Sequence, residues 1–252
     1  VVSDGATIGS GVTIDPFVVV EPDVVVGDGT HLHAHVHLRD GTRIGSDCRI
    51  FTGAAIGSEP QDLKFGGEST AVVVGDRTTV REYATIHRGT TATGKTSVGS
   101  DCLLMAYTHV AHDCRVGDHV ILANGVQLGG HAEIGDWAIL GGLVGVHQFE
   151  RVGSHAMVGF GTRIVKDVPP YVLAGNEPLG FSGVNVVGLK RRGFPSDAIE
   201  RIRESYRMIY QAGMNIGDGV RTVEEFYGAD PFIAEILTFI QSSKRGVIPL
   251  SR

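Results

Sequence analysis

This 252-residue chain has few covalent anchors. Cysteine is limited to Cys48, Cys102 and Cys114, too few for a disulfide framework to hold a chain of this size. Each thiol lies four residues after an aliphatic position (Ile44, Val98, Val110). That phase elsewhere holds Ala6, Val12, Val18, Val24, Thr30, Val36, Thr42 and Ala54. The cysteines are therefore expected to fill small gaps in a core as free thiols, which fits a reducing cytoplasm. No apolar run approaches the ~20 residues needed to cross a bilayer, and no secretory leader opens the sequence. A cytoplasmic location without membrane insertion is expected. Basic residues are in deficit, 22 against 28 acidic, for a net charge of −6. No general attraction to nucleic acid follows, and any anionic ligand must be met by a local basic cluster. The chain opens at Val1, already inside the repeat described next, and a short N-terminal piece is expected to precede it.

Helical and alternating patterns are also missing from the first two thirds of the chain. A period of six stands in their place. Val, Ile or Leu occupies Val2, Ile8, Ile14, Val20, Val26, Leu32, Leu38, Ile44, Ile50 and Ile56, then Val74, Val80 and Ile86. It then holds every sixth position from Val98 to Ile164, 25 positions in all. A helix would need a 3.6 period and an ordinary half-buried strand a period of two. A hexad kept over this length predicts a parallel β-helix, with three hexads making one triangular coil of 18 residues and coils stacking about 4.8 Å apart. Gly follows the aliphatic residue at Gly9, Gly27, Gly45, Gly57, Gly75, Gly99, Gly117, Gly135, Gly153 and Gly159, and is expected with Asp to serve the corners.

Two interruptions keep the phase. Asp62, Glu68 and Ala92 fall where aliphatics belong, which predicts projecting loops over 59–71 and 90–96, where function often resides. The repeat ends at Asp167-Val168-Pro169-Pro170. Pro195-Ser196-Asp197 then resembles a helix start ahead of Ile199, Ile202, Tyr206 and Ile209, and a second helical stretch over 220–243 is broken near Gly228 and Pro231. The expected domains are a β-helix over 1–185 and a small α-helical unit over 186–252.

The 18-residue coil gives the 11 histidines their interest. His112, Gly130 and Gln148 are 18 apart and should stack on three successive coils. Asp113 and His131 form a parallel pair one position on, with His109 and His147 nearby. Such a group could perform general-base chemistry. An imidazole ordinarily titrates near pH 6.5, a carboxylate can fix its tautomer, and an exposed N–H beside Gly130 could stabilise an oxyanion. Zinc ligation is the competing reading, although zinc needs convergent imidazoles of correct geometry. The alternating His31, His33, His35 and His37 must cross a corner, so their rings should splay and offer only weak, adventitious metal affinity.

Five segments carry a resemblance: Gln61-Asp62-Leu63-Lys64, Ile86-His87-Arg88-Gly89, Ala111-His112-Asp113-Cys114, His147-Gln148-Phe149 and Gly188-Leu189-Lys190-Arg191-Arg192-Gly193-Phe194. Together they resemble the UDP-N-acetylglucosamine O-acyltransferase family, over essentially the whole chain. The resemblance implies an all-β left-handed parallel β-helix, the hexapeptide-repeat prism, followed by a small α-helical C-terminal domain. It implies a cytoplasmic homotrimer without cofactor or metal, with active sites between subunits. The implied reaction is the first step of lipid A biosynthesis. An R-3-hydroxyacyl chain moves from acyl carrier protein to the glucosamine 3-hydroxyl of UDP-N-acetylglucosamine. By the same resemblance His112 is the base, Asp113 its orienting partner and Gly130 the oxyanion donor. Asp62, Lys64, His109, His131, His147, Gln148, Asn185, Arg191 and Arg192 are implied substrate contacts, the arginines suiting a diphosphate. Val187 stands where some relatives carry Glu near the uracil, so recognition of the nucleobase is expected to differ in detail. Phe160, with Met157, falls where relatives measure acyl length, and its size implies a short chain. A related prism enzyme acting on an already acylated sugar, a 3-amino acceptor, and a zinc-binding or purely structural solenoid remain the alternatives at this point.

Overall fold

Every sixth aliphatic residue becomes a rung of an inward ladder. In the computed structural model, which describes residues 1–211 and 213–251, 22 of the 25 ladder residues are buried. Only Val2, Ile8 and Ile14, at the open N-terminal end, retain substantial exposure. Fully burying such a side chain is worth roughly 1.5–3 kcal/mol, so the stacked ladder is the main source of cohesion in the prism.

The strands fall into three sheets in which each pairs in parallel with the strand one coil later. The first face runs from Thr7–Ile8 through Val24–Val26 to Arg151–Val152. The second starts at Thr13–Ile14 and the third at Val19–Val20, ending at Arg163–Ile164. Ser97 pairs with Arg115, and Arg115 with Glu133, in the 18-residue register. The architecture is the left-handed parallel β-helix of hexapeptide repeats, followed by helices.

Corner chemistry differs from the expectation for glycine. The left-handed backbone falls three residues after most ladder residues, and most of those positions are not Gly: Asp47, Tyr83, Asp113, His131 and Trp137 all have φ near +55 to +61°. Glycines such as Gly27 and Gly135 answer a different demand. A Cβ there would lie 2.5 Å from backbone atoms of the next coil, so the corner between the first and second faces excludes any side chain at that point.

The projecting segments are slightly shorter than expected. Strands resume at Ala71 and Lys95, which places residues 71, 95 and 96 in the sheet. The second face also continues past the repeat: Val172–Gly175 pairs in parallel with Met157–Val158, and Gly180–Val184 folds back antiparallel. Four helices follow among the described residues: α1 (Val186–Arg191), α2 (Ser196–Gln211), α3 (Ile216–Tyr227) and α4 (Pro231–Gln241). Ile199, Ile202, Tyr206 and Ile209 form the buried face of α2, and the Tyr206 hydroxyl donates to the Pro170 carbonyl at 2.6 Å. Asp230 caps α4 through the Phe232 and Ile233 N–H groups, which explains the break at Pro231. Arg151 ties α4 to the prism, donating to Asp167 Oδ2 (2.7 Å) and the Phe239 carbonyl (3.0 Å).

Candidate active site

The corner joining the third face to the first carries the stacked triplet His112, Gly130 and Gln148. The His131 N–H donates to the His112 carbonyl, and the Phe149 N–H to the Gly130 carbonyl, which fixes the three coils in vertical register. A Cβ on Gly130 would fall 2.6 Å from His112 Cε1 and 2.7 Å from Nε2. Only glycine leaves the space that Nε2 faces. The Gly130 N–H has no acceptor among the described residues.

Asp113 is the anchor. Its carboxylate accepts from the Thr90 N–H (3.1 Å), from Thr90 Oγ1 (2.7 Å), from Thr93 Oγ1 and from His112 Nδ1 (2.8 Å). Burial favours the protonated acid, but the bonds from Thr93, His112 and Thr90 outweigh it, and the pKa falls to about 2. At neutral pH Asp113 is therefore an anion that can only accept, so in the neutral imidazole the His112 proton sits on Nδ1 and Nε2 is left as an acceptor.

A groove of about 640 Å³ opens in front of this corner, lined by His87, His109, His112, Gly130, His147 and Gln148 together with Gln61 and Arg163. His109 Nδ1 lies 2.8 Å from Thr85 Oγ1, and its ring meets His87 edge-on at 4.7 Å. Burial, then repulsion from His109 and His112, pushes His87 down to about 4. Burial likewise lowers His109. Both rings are neutral at pH 7. Arg245, from the chain's end, donates to His147 Nδ1 (3.1 Å) and to the buried Glu150 (2.9 Å).

Not every expected residue meets here. His131 packs behind Asp113, its Nε2 3.8 Å from Oδ2 and its ring stacked on Phe149 at 4.5 Å. It opens onto a separate cavity with Arg151, Lys244 and Arg245. From the projecting loop Gln61 reaches the groove, whereas Asp62 accepts from the Lys64 N–H within the loop and neither residue is among the groove's lining residues. Asn185, Arg191, Arg192, Val187 and Met157 belong to a cavity of about 880 Å³ on the second face, with Trp137 and His119. There Asn185 caps α1 through the Gly188 N–H and donates to the His155 carbonyl (2.9 Å). Arg192 lies over the Trp137 ring at 5.3 Å. Phe160 is 73% exposed on the corner between the second and third faces, against Gly142. Sequence reasoning did not single out Thr90, Thr93, His87, Gln61 or Arg245. His87 and Gln61 lay within quoted motifs and Thr90 and Thr93 within an expected projecting loop, while Arg245 had no positional signal.

The run His31 to His37 departs from the expected splay. His31 and His33 stack at 3.9 Å and share Asp15. Only at His35, where φ is +63°, does the chain turn. His35 stacks on Phe17, and His37 pairs with Glu21. The cysteines are free and buried, and burial raises Cys114 to about 12, which leaves the thiol unreactive.

Comparison with known proteins decides the family. A curated acyl-[acyl-carrier-protein]–UDP-N-acetylglucosamine O-acyltransferase of Verminephrobacter eiseniae is 42% identical over 212 residues, covering 82% of this chain and 81% of the relative. This chain belongs to the UDP-N-acetylglucosamine O-acyltransferase family. The corresponding enzyme of Paracidovorax citrulli is 47% identical over 208 residues, covering 81% and 79%. A UDP-N-acetylglucosamine acyltransferase structure from Bacteroides fragilis superposes with TM-score 0.96 at 45% identity, over 98% of this chain and 97% of that one. One from Francisella novicida gives 0.95 at 39%, over 99% and 92%. The profile for domain 2 of the family matches residues 167–248, and that for the bacterial transferase hexapeptide matches 5–40 and 95–130.

Proposed function

We propose that this acyltransferase moves an R-3-hydroxyacyl chain from acyl carrier protein to the 3-hydroxyl of UDP-N-acetylglucosamine, the first step of lipid A biosynthesis, with His112 as general base. The observation that carries the reading is the His112 ring held by an ionised Asp113 with Nε2 facing the space above Gly130. Nε2 takes the proton of the sugar 3-hydroxyl as its oxygen attacks the thioester carbonyl. The tetrahedral oxyanion forms beside the Gly130 N–H. Its collapse breaks the C–S bond, and the departing sulfur receives the proton from His112. No acyl-enzyme and no cofactor are needed.

The neutral His87 and His109, with His147 and Gln148, offer polar contacts to the sugar. His131 supports Asp113 from behind. Arg191 and Arg192 suit the diphosphate, and Asn185 holds the helix that presents them. Asp62 and Lys64 reach the substrates from the projecting loop. These residues lie on different sides of one prism, and a homotrimer in which neighbouring subunits complete each site accounts for that separation. Phe160 and Met157 limit the acyl chain. The donor, a carrier protein, fits a cytoplasmic enzyme.

The direct experiment assays His112→Ala with UDP-N-acetylglucosamine and a panel of R-3-hydroxyacyl carrier proteins, alongside light scattering. Transfer should disappear while a folded trimer persists. Turnover within a few-fold of the unmodified enzyme would remove His112 as base, and a monomer active at wild-type rate would remove the shared site.

A further inference from the structure

On the second face, in the first two coils, Asp15, His31 and His33 form a group that acyl transfer leaves unused. His31 begins the strand His31–Leu32. Leu32 is fully buried, so the residues on either side of it project outward together. Asp15 lies one coil earlier, and its carboxylate reaches both rings. Oδ1 is 3.0 Å from His31 Nε2 and Oδ2 is 3.3 Å from His33 Nδ1. The rings are stacked with an interplanar angle of 26°. Phe51 backs His33 at 4.4 Å, and the donor atoms all lie within 4.8 Å of one another.

We propose that Asp15, His31 and His33 bind a divalent transition cation of the zinc class, through two imidazole nitrogens and one carboxylate oxygen, with a further position left to water. Two imidazoles and a carboxylate are the donor set such ions take, at about 2.0–2.2 Å. The present spacing around Asp15 needs only a small turn of each ring to reach it. His33 Nδ1 faces Asp15 while Nε2 is buried without a partner, so Nδ1 is the nitrogen placed to ligate. Arg49 and Arg81, both over the Phe51 ring, oppose a dication and hold the affinity below that of a closed four-ligand site. His35 and His37 are engaged elsewhere. The ion would staple the first coil, where Ile8 and Ile14 are only partly buried, to the second. This site is independent of the acyl-transfer reading.

The test is calorimetric titration of the untagged chain with zinc chloride, paired with thermal unfolding. One equivalent should bind. Asp15→Asn and His33→Ala should each weaken binding by roughly 10–100-fold or more. Zinc should raise the melting temperature of the parent chain but not of these variants. His131→Ala, at the other His/Asp cluster, should bind normally, and acyl transfer by His33→Ala should be unchanged. Absence of binding overturns the proposal. So does binding that survives His33→Ala and Asp15→Asn, or that is lost only in His131→Ala.

Discussion

Two corners of the prism carry columns of histidine. Between the first and second faces, His119, Trp137, His155 and Tyr171 stack ring on ring, with centroids 3.9, 6.3 and 5.6 Å apart. Phe194 closes the column edge-on. Between the third and first faces the column breaks: above His112 stands Gly130, with no ring at all. In the first column His155 lies between the faces of Trp137 and Tyr171, with no carboxylate bonded to it and its Nδ1 buried without a partner. The second has an anion fixed by three donors besides His112. Stacked histidine in a solenoid is therefore structural by default. An anchored Nδ1 and an open space over Nε2 are what the proposed base adds.

Removing the anchor should have the largest effect. Asp113→Asn replaces an obligate acceptor with a group that also donates, so the His112 tautomer is no longer fixed. Turnover should fall about 10²–10⁴-fold with a smaller change in KM. A loss below tenfold in steady-state assays would erase the distinction between the columns. Filling the vacancy comes next. Gly130→Ala places a methyl within 2.7 Å of Nε2 at ordinary backbone angles, so the fold should persist while the ring shifts. A displacement of that kind costs on the order of 10²-fold in rate, read with unchanged circular dichroism. His119→Ala, in the packed column, should leave kcat within a few-fold.

The packed column should instead show itself in acid. Burial first, then the charge of Arg192, lowers His155 to about 4 from its ordinary 6.5. Between those values the unfolded chain binds the proton more readily than the folded one. Stability should therefore fall as pH drops from 6.5 toward 4 and be unaffected by this group above 7. His155→Phe, which keeps a ring against Tyr171 and Phe194, should flatten part of that decline in melting temperature between pH 7 and 5. An identical slope in the variant would assign the acid sensitivity elsewhere, for which the buried His87 is the next candidate.

The stacking of His112, Gly130 and Gln148 was legible because the hexad fixes register, and register alone decides which residues share a corner. Thr90 and Thr93 were not, because the segment between His87 and Lys95 leaves the repeat and its return onto Asp113 is a tertiary event. His131 falls in the expected register, but in one chain its ring packs by Asp113 and Phe149 and does not line the groove. Its left-handed backbone, φ +61°, turns it past the corner toward Phe149. The same geometry explains the N-terminal histidines, since the turn falls at His35 and leaves His31 and His33 projecting together on either side of the buried Leu32. The hairpin Val172–Val184 carries no hexad, and its pairing follows from edge completion of the second face.

The smallest expected effect concerns a residue near neither column's centre. Phe160 stands exposed on the third corner, its ring against Gly142, beside the face that carries the groove. Under the proposed function, a ring of that size shortens the space open to the acyl chain along this corner. Phe160→Gly removes it without touching His112, Asp113 or Gly130, so rates with the preferred donor should change little. Longer donors should gain, because each newly buried methylene contributes about 0.8 kcal/mol, close to fourfold in affinity. A competition assay with mixed acyl carrier proteins reads this ratio directly. A chain-length profile identical to the parent enzyme would show that the hydrocarbon does not pass this corner, and would leave Met157, on the second face with Trp137 and Arg191, as the residue that bounds it.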